Sequence, residues 1–490
     1  MNADRPPRPE LSPALVAFLL FAFSTFLHVA YAGLIPLTPQ EAYYWQYARH
    51  PALSYFDHPP AAAWTIRAFT LLLGNGERDV RLAAALWSSV FGLFFFLAGR
   101  RLFGARVALA ATAMLLVTPF FSLGQTIITP DGPLVAGWVA ALYFTVRALQ
   151  DGRGAWLLAA GLAVGLACLG KYTGLLLAPQ ILLALLLDRR GRRLLRSPWP
   201  YLGVALAGVL FSPVLAWNAA HGWASFAFQF AKRGADMHLE PVLTGRFLGL
   251  QALVVSPVLF LVLVAAAARA GRQWRDPSMR LCALFSVPLL LLLLCVSPFH
   301  WVKMNWAVPA YPSALLAATA IYARNPARWR WLLLPTVAIA ALGTVYLQLM
   351  PLVPAVPFPA RDDTTAGWRE LAARVRAEQA RAPGLPVIGC FYRTASTLAY
   401  YLPGQPETFS SNAFGEPGLA YDYWGDPSVL SGRDVLVVVD DRDPGCRRRE
   451  DLCRPLEPLD PLEVRRGSAR VTTFRLWRCR YLGPPTPHRP

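Results

Sequence analysis

Two carboxylates and two histidines, Glu41, His50, Asp57 and His58, stand among tyrosines and tryptophan in "TPQEAYYWQYARHPALSYFDHPP" (residues 38–60), between two strongly apolar stretches. Further along, Asp131 lies in "TIITPDGPL", Lys171 in "CLGKYTG" and Lys303 in "FHWVKMNW". Brought together, these groups would make a cleft with carboxylates on one wall and cations on the other. A carboxylate can take the proton of an attacking hydroxyl or, as Glu41 with Asp131 could, hold a divalent cation. Lysines and a histidine can hold a departing phosphate by charge and hydrogen bonds. Each residue also has a simpler reading. Lys171 could cap a tight turn, Asp131 could be a helix N-cap ahead of Pro133, and Tyr43, Tyr44, Trp45, Trp301 and Trp306 could form an interfacial belt.

The elements that must position these groups are membrane helices. The chain has 490 residues, 55% hydrophobic and 16% charged, with a mean hydropathy of +0.37, too oily for a soluble protein of this length. Apolar runs long enough to cross a bilayer occur near 11–35, 81–98, 107–127, 133–149, 155–170, 172–187, 201–217, 246–268, 281–297, 306–323 and 331–350, about eleven spans. The formal charge of +18 is carried by short arginine clusters between these runs, such as Arg100, Arg101 and Arg106, Arg189 to Arg196, and Arg269 to Arg280. That pattern sets topology with the clusters in the cytoplasm, and it offers no basic helix or stacking platform for nucleic acid. The 38–60 stretch, Asp131, Lys171, residues 298–305 and everything after the last span then face the opposite compartment. "AYAG" at 30–33 has the look of a signal-peptidase site, but the apolar run before it is long for one, so an uncleaved anchor is expected.

After Met350, "PLVPAVPFPARDDTT" is a proline-punctuated linker, centred on 351–360, and the composition turns soluble. Residues 361–490 predict a small α/β unit: a helix over 367–381, a strand over 386–391, a helix over 394–402 and a buried strand over 434–441. Nothing in it looks catalytic; it reads as a lid or an acceptor-guiding module, with Asp440 and Asp441 at a turn. Its Cys390, Cys446, Cys453 and Cys479 can pair in an oxidising compartment, and Cys446 with Cys453 is the tempting bridge, although four cysteines allow three connectivities.

The order of "PQEAYYW", "SYFDHPPAAAW", "TPDGPL", "GLACLGKYTG", "WNAAHGWASFAFQ" and "KMNWAVPAYPS" over the first 320 or so residues resembles the membrane glycosyltransferases of the protein O-mannosyltransferase and aminoarabinose lipid A transferase group. The likeness is strongest to the bacterial branch also named for lipopolysaccharide galacturonosyltransferases. The resemblance implies the fold: an all-α polytopic membrane protein of the GT-C type over residues 1–350, its first exported loop at about 36–80 catalytic, with the α/β unit outside the cytoplasm. It implies a sugar donor linked to polyprenyl phosphate, transfer with inversion, and a glycolipid, glycan or protein acceptor such as lipid A or lipopolysaccharide core. The setting would be a bacterial inner membrane with the site on its periplasmic face.

By the same resemblance, Asp57 orients and His58 contacts the donor phosphate, weakly because a histidine is only partly protonated near neutrality. Tyr44, Lys171 and Lys303 line the same place, and Asn218 and His221 lie on a loop bordering the substrate cavity. The group's acidic motif is usually Asp-Glu; here it is Gln40 followed by Glu41. An amide cannot take a proton. The base or metal role therefore passes to Glu41 or Asp131, or the chain is an inactive relative. A rival of another class is a transporter or flippase of lipid-linked sugars, which would place its ionisable groups in mid-membrane rather than at one face. No nucleotide-binding signature is present.

Overall fold

Ser12 accepts the Leu15 amide and Pro13 fills the first turn, which starts the apolar helix α1 (Pro13–Ala32). The computed structural model describes residues 11–232, 238–359, 363–443 and 452–483. After α1 come α2 (Pro39–Arg49) and α3 (Ala61–Leu73), then α4 (Glu77–Phe103), α5 (Asp131–Asp151), α6 (Trp156–Gly170), α7 (Trp199–Ala220) and α8 (Tyr311–Arg324). Helix α5 is the centre of the bundle and is buried on nearly all sides. It reaches α6 through Gly137, where a Cβ would fall 2.7 Å from both Ala163 O and Ala167 N. Close backbone approach through small residues is how helices pack where burial in lipid gives no hydrophobic drive.

Six described helices are long and apolar enough to cross a membrane: α1, α4, α5, α7, Pro277–Val296 and Pro326–Leu349. The count reaches seven if the pair Pro241–Val255 and Pro257–Arg272, bent by 107°, is one span. The expected eleven runs exceed this because apolar composition does not guarantee helical continuity. The 107–127 run breaks ahead of Pro119 into Ala105–Leu116 and Pro119–Leu123, and the 246–268 run breaks at Ser256 and Pro257. The 155–170 and 172–187 runs remain as shorter apolar helices.

The C-terminal unit holds α9 (Trp368–Arg381), α10 (Tyr392–Tyr401) and a four-stranded sheet of β1 (Val387–Gly389), β2 (Asp434–Asp440), β3 (Cys453–Arg466) and β4 (Ala469–Tyr481), in the order β1-β2-β4-β3. Strand β1 runs parallel to β2, and the other pairs are antiparallel. The β3–β4 hairpin was not expected, since "CRPLEPLDPLEVRR" carries three prolines; β3 tolerates them as an edge strand with register shifts. Cys453 is bonded to Cys479. The expected Cys446–Cys453 bridge is therefore corrected: the antiparallel ladder carries Cys479 to Cys453, whereas Cys446 lies outside the described residues. At the expected turn, Asp440 accepts from Arg442 and Thr472, and Asp441 pairs with Arg475 at 2.9 Å.

This unit sits on α2. Tyr43, Tyr44, Trp45 and Tyr47 pack in one buried cluster with Ala395, Ala399 and Tyr400 of α10 and with Tyr421. Tyr401 Oη accepts the Leu37 amide at 2.7 Å, Tyr400 donates to Asn75 O at 2.7 Å, and Arg49 and Arg369 pair with Glu407 and Glu77. The belt reading is thereby corrected for Tyr43, Tyr44 and Trp45, which are covered by protein on both sides; Trp301 is exposed and Trp306 half-buried.

Candidate active site

Glu41 closes a capping box at the start of α2: its own amide donates to Thr38 Oγ1 at 3.2 Å, and its Oε2 accepts the Thr38 amide at 2.9 Å. The carboxylate is gripped by Arg81 of α4, Nε to Oε1 at 2.9 Å and Nη2 to Oε2 at 2.8 Å. Oε1 also accepts the Ile128 amide at 3.3 Å. The guanidinium goes on to Ala32 O, Ile35 O and Pro36 O, and both side chains are wholly buried. Glu41 thus ties α2 to the ends of α1 and α4. Sequence reasoning missed Arg81, although an arginine heading an apolar run and the "TPQE" capping pattern were both signals.

Asp131 begins α5, and Lys171 follows the last residue of α6. Lys171 Nζ donates to Asp131 Oδ1 at 2.8 Å, and Asn305 Nδ2 donates to Oδ2 at 2.5 Å. The helix start favours a negative charge at Asp131. The glycines around Lys171 bring it there: a Cβ on Gly170 would stand 2.6 Å from Leu134 N and 3.0 Å from Pro130 O. Gly170→Ala is expected to cost about 1–3 kcal/mol by overpacking, read as a lower melting temperature in detergent.

Asp57 lies in the loop after α2, buried. Its Oδ1 accepts from the phenols of Tyr43, at 3.0 Å, and of Tyr47, one turn apart on α2. Its Oδ2 is 4.0 Å from His58 Nε2, and its carbonyl accepts from Gln229. Burial pushes the carboxyl above its ordinary range; the Tyr47 and Tyr43 hydrogen bonds and the Lys303 charge oppose that rise. Tyr44 feels the charge of both Asp57 and Asp131 and meets the His58 ring edge-on at 5.7 Å. Gln40 bonds Tyr44 and Tyr392.

The structure therefore gathers Gln40 and Tyr44 of α2, the loop residues Asp57, His58 and Lys303, and Asp131 and Lys171 at the ends of α5 and α6, at one face of the bundle. Asn218 and His221 lie at and just beyond the end of α7. Asn218 is buried and closes the turn after α7, donating to Val214 O and accepting the Phe226 amide. His221 is exposed and stacked on Trp217 at 4.1 Å. Asn305, Gln229 and Tyr392 were not singled out in sequence, because their partners come from distant segments; Tyr47 was not singled out either, and Tyr43 was read only as part of a belt.

The donor set does not fit a divalent cation. Arg81 already occupies the oxygens of Glu41, and Lys171 and Asn305 those of Asp131, so an ion would have to displace a cation at each. Among the described residues no three His, Cys, Asp or Glu side chains gather at a distance that could hold a metal ion.

Residues 57–217 match the family model described as dolichyl-phosphate-mannose-protein mannosyltransferase. The chain is 29% identical over 290 residues to the lipid A galacturonosyltransferase RgtD of Rhizobium johnstonii, covering 58% of this chain and 61% of that protein. It thus spans under two thirds of the curated relative's length. The crystal structure of apo ArnT from Cupriavidus metallidurans superposes with a TM-score of 0.66 at 18% identity, over 95% of this chain and 98% of that one. The same protein bound to undecaprenyl phosphate gives 0.65 at 17%, over 94% and 97%. An Archaeoglobus fulgidus oligosaccharyltransferase gives 0.54 at 14%, over 86% and 68%. This chain is a multi-pass membrane protein with the ArnT-like GT-C glycosyltransferase fold and a small C-terminal sheet unit.

Proposed function

We propose that the protein is an integral membrane glycosyltransferase that moves a sugar from a polyprenyl phosphate to an acceptor outside the cytoplasm, with inversion. The observation that carries this reading is the convergence, on one face, of Asp131 and Lys171 at helix ends with Asp57 in a neighbouring loop and the Lys303 charge beside it. Transport would want its ionisable groups at mid-depth. The far ends of α4 and α5 are marked by the Arg101–Asp151 pair, 3.1 Å, a helix length away from the site. With the arginine clusters at that end and a disulfide in the C-terminal unit, the site side reads as periplasmic. Lipid A or a related glycolipid is the acceptor that the relative's name suggests.

In the proposed reaction the acceptor oxygen bonds to the anomeric carbon while the bond from that carbon to the phosphate oxygen breaks. The hydroxyl proton passes to Asp57, and the lipid phosphate leaves with its electron pair. Lys171 gives one N–H to Asp131 and keeps two for the phosphate, with Lys303 and His58 adding positive charge. Asp57 replaces Glu41 and Asp131 as the proton acceptor in this reading, because those two are within hydrogen-bond distance of a guanidinium and an ammonium. Transfer of radiolabelled sugar from polyprenyl phosphate donors to lipid A in proteoliposomes tests it. Wild type is expected to transfer, and Lys171→Met to lose at least about 100-fold, as for removal of one charge-stabilising donor. Wild-type protein that consumes no lipid-linked donor would remove the reading.

A further inference from the structure

Gln40 stands between phenols from two units. Its Nε2 donates to Tyr44 Oη at 3.0 Å, one turn along α2, and its Oε1 accepts from Tyr392 Oη at 3.2 Å, from α10. A primary amide has donors on one side and an acceptor on the other, whereas an ionised carboxylate only accepts. A carboxylate at position 40 would take a hydrogen from each phenol. The amide takes one from Tyr392 and gives one to Tyr44, so the hydroxyl hydrogen of Tyr44 is not spent on residue 40. That hydroxyl is buried, within the field of Asp57 and Asp131 and beside His58. Burial first, then the Asp57 charge, hold the phenol well above its ordinary pKa, so it keeps its proton.

We propose that Gln40 is a positioning residue that, anchored by Tyr392, makes Tyr44 a hydrogen-bond donor to a phosphoryl oxygen of the lipid-linked donor. The inference rests on the donor class proposed above. The phosphate gains charge as its bond to the sugar breaks, and a phenol fixed in advance donates more strongly to that oxygen as the charge grows. Tyr392 belongs to the C-terminal unit, so that unit is part of the site rather than only a cover.

The test titrates undecaprenyl phosphate into the full chain in detergent, following tryptophan fluorescence, for wild type, Tyr44→Phe, Tyr392→Phe, Gln40→Glu and the double variant Gln40→Glu/Tyr44→Phe. Tyr44→Phe is expected to weaken binding about tenfold, the scale of one charge-assisted hydrogen bond, at an unchanged melting temperature. Gln40→Glu adds a charge that repels phosphate in either background. It is therefore expected to weaken binding about tenfold more when residue 44 is tyrosine than in the Tyr44→Phe background. Tyr392→Phe, which frees the amide to turn, is expected to weaken binding several-fold. Equal effects of Gln40→Glu in both backgrounds, or wild-type affinity in Tyr44→Phe, would overturn the inference while leaving the glycosyltransferase reading in place. Wild-type protein that does not bind the lipid phosphate overturns both.

Discussion

Arg81→Met is expected to destabilise the folded protein by about 3–5 kcal/mol, the cost of leaving one member of a buried ion pair without its partner. The variant leaves the Glu41 carboxylate wholly buried with only the Thr38 and Ile128 amides. It also strips the carbonyls of Ala32, Ile35 and Pro36 of their donor. Thermal unfolding in detergent would show a large drop in melting temperature. Arg81→Lys is expected to recover only part of it, because an ammonium cannot reproduce the two-pronged grip on Glu41 together with three carbonyl contacts. A melting temperature near wild type in Arg81→Met would mean that the pair does not hold α2 in place, and Glu41 would return as a candidate for chemistry.

Asp57→Asn has the opposite signature. Transfer is expected to fall about 10²–10⁴-fold, the span of general-base catalysis, while the fold holds, since the Asn carbonyl can still accept from Tyr43 and Tyr47. Folding raises the Asp57 pKa, so the ionised carboxylate works against the folded state at pH above that raised value. Stability from this group is greatest at low pH and is lost as pH rises through the folded pKa. Removing the charge is thus expected to keep or raise the melting temperature near neutrality. Activity runs the other way: the proton acceptor must be ionised, so transfer falls as pH drops through a pKa above the ordinary carboxylate range. A pH profile of transfer measured alongside melting temperatures checks both signs. Loss of activity accompanied by a lower melting temperature, or an acid limb at the ordinary carboxylate value, would count against Asp57 as base.

The membrane bundle and the α/β character of the C-terminal unit were legible in the sequence. Helices at Trp368–Arg381 and Tyr392–Tyr401 and strands at Val387–Gly389 and Asp434–Asp440 lie where periodicity put them. These features are legible because they depend on local composition and on the 3.6- and 2-residue repeats. The sequence also named Asp57, Asp131, Lys171 and Lys303, because ionisable groups at the mouths of apolar helices are costly and few. Which partners each one meets came from the tertiary packing. Glu41 and Asp57 are sixteen residues apart and chemically alike in a list; one meets a guanidinium of α4 and the other two phenols of α2. Where an apolar run stays one helix was likewise outside the reach of composition: breaks at Pro119 and at Ser256–Pro257 divide two of the runs. Gln40, which in sequence is only a missing proton acceptor, acquires a donor and an acceptor role from Tyr44 and from Tyr392, 352 residues away along the chain. Hydrogen-bond direction belongs to pairs, and which residues become pairs is settled by packing.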